Sequence, residues 1–451
     1  MIEALLSAET PAEYLRRFNH WWESDLDKDR LVLRAARYVA PRSYRDEYSH
    51  NALHGYLGMI AAVQAGNWLN PRVRMDPLTQ ALWAVAGENL SDPFDFNSFE
   101  GEALAGVLRQ PIEELWKEGN VAGLCAGIGH STDKSVREGL VAWLMRRAMS
   151  DTWDFGRRLT YMAGAVRLCR WAQWESGEIL LFPAIHYALR APADNGAAQW
   201  LATILDHNPI RQDHIAGAGR ELNGEQAAEL AALALSNDAE GLVAYSLGLL
   251  SEGASPQALY EGLLMAAARL LVCSSPADWY GPVHVILYLD ALKLYLDPLK
   301  PALAQTQPTS QVEAILLGGL ALQRAAGLQE SLFTGAPECE LPQAAPSNAF
   351  SLWASLAAAL DEGDEPAALG IVASAVEGGY DSRVLSSFFA SYASRNDGRL
   401  YSAVDLQFVC AIMLASARAR PKTRNRLLAA LVHFLSTCEK DHTMWRQIAQ
   451  G

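Results

Sequence analysis

The stretch that most constrains this chain is Trp279-Tyr-Gly-Pro-Val-His284-Val-Ile-Leu-Tyr-Leu-Asp-Ala-Leu-Lys-Leu-Tyr-Leu296. Gly281 and Pro282 punctuate its start, and proline suits a first helical turn because its missing N–H has no partner to lose there. Apolar residues then fall on nearly every face. A helix of that kind has to be surrounded by other helices rather than laid on a surface. His284 sits in the first turn between Val283 and Val285. It needs a partner, either a backbone carbonyl or a metal ion.

The context of this stretch recurs. Ser255-Pro256 opens a helix that ends in Ala-Ala-Arg269, after a turn at Gly253. Asp364-Glu-Pro, Gly378-Gly-Tyr-Asp-Ser and Ala393-Ser-Arg395 repeat the order near the C-terminus, before Gly398-Arg-Leu-Tyr401. Ala35-Ala-Arg37 precedes a helix start bearing His50 and His54, and Ala165-Val-Arg167 precedes Phe182-Pro-Ala-Ile-His186. The internal unit is thus helix, turn, helix ending in Ala-x-Arg, loop, and a helix opening on histidine. No segment sustains the period-two alternation of strands. The expected fold is all-α, one large domain of stacked helical hairpins with divergent repeats. Residues 1–333 form its repeat region with the site. Residues 334–348, with Pro337, Pro342 and Pro346, read as a linker, and 349–451 as a last repeat packed on the first part.

Charge and composition narrow the function. The net charge of −14 argues against nucleic acid, whose binding needs a phosphate-neutralising surface. The six cysteines form no CxxC pair and read as reduced, buried thiols. No apolar run reaches the ~18 residues of a membrane span, and the opening residues do not read as a signal peptide. A cytoplasmic protein with no membrane partner is expected. Gly119, Gly123, Gly127 and Gly129 lead to His130 without the Gly-Lys-Ser/Thr of a phosphate loop, so neither nucleotide nor flavin is expected. The sequence leaves the oligomeric state open. Thirteen tryptophans suit a cavity for a flat aromatic ligand, with Trp279 and Tyr401 as candidate substrate contacts, and equally suit a large helical core.

Among ten histidines, His54, His130, His186 and His284 each stand near a helix start among small and aliphatic residues. Stacked, pseudo-equivalent helices bring such starts together, and imidazoles from several helices suit a divalent ion such as Fe(II). His50 lies four residues before His54, on the same helical face, and is an alternative ligand. The position equivalent to His284 in the last unit falls on Tyr401. Asp405, one turn on, is the candidate anionic ligand.

The order Asn51-Ala-Leu-His54-Gly-Tyr-Leu-Gly, Ala126-Gly-Ile-Gly-His130, Ala184-Ile-His186-Tyr-Ala-Leu, and Val283-His284 with Asp290-Ala-Leu resembles the questin oxidase-like family. Those are helical proteins of similar length that act on anthraquinones. The resemblance implies a non-heme iron oxygenase with metal held by four histidines and a carboxylated lysine. Here the place of that lysine holds Arg399-Leu-Tyr-Ser402 and then Asp405. The expected function is an iron-dependent oxygenase that uses O2 on an aromatic or polyketide-like small molecule. The alternative is a helical-repeat scaffold whose histidines are structural. A zinc hydrolase is disfavoured because no glutamate follows the first histidine of the His50–His54 pair.

Overall fold

The computed structural model describes residues 1–44, 54–69, 75–87, 90–96, 110–207, 219–296, 308–329, 340–343, 352–397 and 403–442. Every regular element among them is helical. In chain order these are α1 (Ile2–Leu6), α2 (Pro11–Glu23), α3 (Lys28–Val39), α4 (His54–Gly66), α5 (Met75–Ala86), α6 (Ile112–Lys117), α7 (Val121–Gly129), α8 (Lys134–Met149), α9 (Arg157–Trp171), α10 (Gly177–Arg190) and α11 (Gly196–His207). There follow α12 (Gly224–Ala234), α13 (Ala239–Ser251), α14 (Pro256–Cys273), α15 (Tyr280–Leu296), α16 (Pro308–Gly327), α17 (Leu352–Glu362), α18 (Glu365–Glu377), α19 (Ser382–Ala393), α20 (Val404–Ser416) and α21 (Pro421–Thr437). No described helix is long and apolar enough to cross a membrane.

Sixteen of the described helices fall into four units of four: α2–α5, α7–α10, α13–α16 and α18–α21. Local sequence sets the first two helices of each. A side chain caps the first helix at Thr10, Asn120, Asp238 and Asp364, and the second at Asp27, Asp133, Ser255 and Asp381. Each cap satisfies amide protons that the first turn leaves open, worth about 1 kcal/mol. In the last two units the turn between them holds a glycine with positive φ, Gly253 at 91° and Gly379 at 73°.

The third helix of every unit goes to the centre. There α4 packs on α9, α9 on α15, α15 on α20, and α20 back on α4, closing a ring. The fourth helix packs outside its own third helix. Three of these central helices, α4, α15 and α20, are apolar on nearly every face because they meet neighbours on every side, whereas α9 carries Arg157, Arg158, Arg167 and Arg170, each in an ion pair. Midway along the ring lies a small cavity of about 40 Å³ lined by Gln64, Thr160, Arg167, Asp290 and Gln407. Arg167 bonds Asp290 across it, a buried pair that links α9 to α15.

This arrangement corrects two expectations. The ring helix of the second unit is α9, which opens on Arg157, and not the helix bearing His186. His186 is the tenth residue of α10, three after Pro183, in mid-helix rather than at a start. His130 is the C-cap of α7, in the turn that leads to Asp133 and α8, and is exposed. That turn is separated from the start of α9 by the whole of α8, about 24 Å at 1.5 Å per residue. The linker expected at 334–348 falls outside the described residues except for 340–343. The last unit is continuous with the core through α20 and α21, which pack on α15 and α14.

Candidate functional site

The ring's polar end is built on the turn before α9. Asp154, Phe155 and Gly156 take φ of 49°, 57° and 70° in succession. A left-handed non-glycine residue costs about 1–2 kcal/mol, so two in a row persist only where the surroundings compel them. The compulsion is Arg157. Its side chain is 2% exposed, and its Nε lies 2.9 Å from Asp154 Oδ2. An arginine in a first helical turn faces the positive end of the helix dipole, so it needs such a carboxylate.

The guanidinium joins two further helices. Nη2 donates to Tyr280 Oη at 2.7 Å and to His284 Nε2 at 2.9 Å, while Nη1 reaches Tyr161 Oη at 3.4 Å. Tyr280 Oη in turn donates to Asp154 Oδ1 at 2.8 Å. His284 Nδ1 is 2.6 Å from the Tyr280 carbonyl oxygen. Arginine only donates and a carbonyl only accepts, so His284 carries its proton on Nδ1 and offers the lone pair of Nε2 to Arg157. Burial works against the arginine's charge, but Tyr161, Asp154 and Tyr280 outweigh it and hold Arg157 above the usual arginine range. Burial, and then the Asp154 charge, push the Tyr280 phenol up, with Arg157 pulling the other way.

His54 completes the cluster from α4. Its ring centroid lies 6.0 Å from that of His284, edge to face, and 6.4 Å from Tyr161. Tyr187 stacks its edge on Tyr161 at 4.6 Å. From α20, Gln407 Nε2 donates to the His54 carbonyl at 3.2 Å. The first turns of α9, α15 and α20 therefore share one end of the ring, and their dipoles add positive potential to that of Arg157. Both histidines are buried, and half-exposed Tyr280 leads from them to solvent.

The other expected residues stand elsewhere. His186 lies against Tyr44 and Phe182, whose ring also meets Phe94 and Phe96. Trp279 packs on Phe434 and His433 and donates its indole N–H to the Ser274 carbonyl, so it fastens the start of α15 to α21. Asp405 is buried beside α5, where Gln80 and Asn396 donate to its carboxylate. Burial raises its pKa to about 6 against the bond from the Leu406 amide and those two side chains. Tyr401 and His50 lie outside the described residues.

The four-histidine iron set does not fit this geometry. His130 is at the far end of its unit, and the His284 lone pair that a metal would use is taken by a cation. A divalent ion beside that guanidinium meets like-charge repulsion in a desolvated site. Among the described residues no three of His, Cys, Asp and Glu come together to hold a metal ion. Arg157, Asp154, Tyr161 and Tyr280 were not singled out from sequence. The available signal was Asp154 three residues before an arginine that opens a helix. No family model, curated protein or solved structure matches this chain.

Proposed function

We propose that this chain is an oxygenase that acts with O2 on a hydroxylated aromatic or polyketide-like small molecule, bound as its phenolate at the cluster of His54, Arg157, Tyr280 and His284. The observation that carries this reading is the Arg157–His284 contact at the shared start of three helices. A fixed guanidinium and three helix dipoles stabilise a negative oxygen at that place. A phenolate is the electron-rich form of the aromatic ring that reacts most readily with O2. The residues bind and orient that oxygen, and the apolar ring of helices excludes water. The motif order shared with questin oxidase-like proteins supports the same substrate class.

The test is optical. A hydroxyanthraquinone added below its own pKa in solution should take on the red-shifted absorption of the anion when bound, and Arg157→Gln should abolish the shift. Binding with the spectrum of the neutral phenol would remove this reading.

A second reading keeps iron at the same end of the ring. It is favoured by the His284 tautomer, since an Nδ1–H bonded to a carbonyl leaves Nε2 as the coordinating nitrogen. It requires Arg157 to leave that nitrogen. Elemental analysis of anaerobically purified protein separates the two: iron at one per chain, lost in both His54→Gln and His284→Gln, would favour the metal.

A further inference from the structure

His130, which the histidine cluster does not use, opens onto a different feature. It lines a cleft of about 850 Å³ between α3, the α7–α8 turn and the α9–α10 turn. This is the opposite end of α9 from Arg157, about 20 Å away along the helix. We propose that this cleft binds a small aromatic phosphomonoester, with Arg30, Arg34 and Arg137 as its anion contacts and Trp174 as its ring contact.

The charge is placed for it. Arg30, Arg34 and Arg37 recur at helical spacing on one face of α3, and all three line the cleft with Arg137. In a chain of net charge −14, four arginines on one concavity mark an exception. Glu175 and Ser176 already engage Arg37. Arg34 has only a long contact of 3.6 Å to Asp25. The exposed Arg30 guanidinium makes no hydrogen bond or ion pair among the described residues. Arg137 Nη1 donates to the Ser131 carbonyl at 3.0 Å, but its buried Nε has no partner in the fold. Planar guanidinium groups with spare N–H donors match a phosphate.

The wall supports a ring. The Arg137 guanidinium lies 4.8 Å over the Trp174 ring, fixing both. Trp174 is held there by a turn in which Gln173, Trp174 and Ser176 have φ of 52°, 67° and 60°. Three left-handed non-glycine residues in one connection are backbone strain, held by the Trp174 amide bond to the Cys169 carbonyl and the Arg37–Ser176 contact. The size of the cleft suits a drug-sized ligand. Asp27, Asp29 and Glu175 also line the cleft, and Glu175 is paired with Arg37, which leaves Arg30, Arg34 and Arg137 as the anion contacts.

Calorimetric titration of the full chain with phenyl phosphate tests this. Saturable binding is expected, weakened at least ~10-fold in Arg30→Gln, which alters an exposed side chain and leaves the fold intact. Arg137→Gln should weaken it further, and inorganic phosphate should bind more weakly than phenyl phosphate. Absence of saturable heat up to about 10 mM ligand, or equal affinity of wild type and Arg30→Gln, overturns the proposal.

Discussion

Arg157 Nη2 stands 2.9 Å from His284 Nε2, and this contact joins α9 to α15 at the polar end of the central ring. Removing the guanidinium leaves Asp154 buried without its ion pair. Arg157→Gln should cost about 3 kcal/mol of stability, read by denaturant unfolding. Arg157→Lys should keep most of that stability yet lose the fork that spans Tyr280 and His284. It should lower turnover of a hydroxyaromatic substrate by ~100-fold. Full turnover in Arg157→Lys would show that charge alone suffices.

Gly156 is the third left-handed residue in the turn that aims Asp154. A Cβ there would come within 2.2 Å of the Tyr288 ring, with φ at +70° as well. Gly156→Ala should therefore destabilise the chain by more than ~3 kcal/mol. Asp154→Asn tolerates the same backbone, but it leaves the buried Arg157 guanidinium without its ion pair, so it should lose about 3 kcal/mol as Arg157→Gln does. A lowered thermal midpoint in both Asp154→Asn and Gly156→Ala is the expected pattern, and a normal midpoint in Asp154→Asn would show that the Arg157 pair adds no stability.

Asp405 and Asp76 give the protein a pH dependence of defined sign. Burial, the leading cause in both, raises Asp405 from 3.8 to about 6 and Asp76 from 3.8 to about 7. A carboxyl whose folded pKa lies above its unfolded value holds its proton more tightly when folded. The stability contributed by these two groups should thus be greatest in acid and fall as pH rises from the unfolded value of 3.8 to the folded values of about 6 and about 7, then level off. The loss is on the order of 3 kcal/mol for Asp405 and 4 kcal/mol for Asp76. Unfolding of wild type and Asp405→Asn across this range should show a shallower slope in the variant. An unchanged slope would remove Asp405 from the account.

His54, His284 and His130 divide by their position in the units. His54→Gln and His284→Gln should lower turnover by at least ~100-fold with modest change in stability, because they alter the cluster itself. His130→Gln should leave turnover unchanged, since its ring is exposed at the other end of α8. Equal losses in all three would restore a shared site that the described geometry separates.

The sequence made the helical class plain because the run from Val283 to Leu296 has no polar face. It also showed the last two units, whose caps at Asp238, Ser255, Asp364 and Asp381 are written as residue types. His54 and His284 stood out for the same reason, as polar rings in apolar first turns. The second unit was misread because Phe182-Pro183 imitates a helix start, whereas its real ring helix opens on two arginines. Arg157 looks like a surface residue until Asp154 is seen to turn inward, and that turn depends on left-handed φ values no residue type announces. His130 was misplaced because a glycine-rich helix end resembles a helix start when only composition is read.

In the proposed function the His54–His284–Arg157 cluster directs O2 onto a hydroxylated aromatic ring. Oxygen-electrode measurement of O2 uptake with a hydroxyanthraquinone tests it most directly. Substrate-dependent uptake by wild type, reduced at least ~100-fold in His284→Gln and retained in His130→Gln, is the predicted result. Uptake that survives intact in His284→Gln would contradict it.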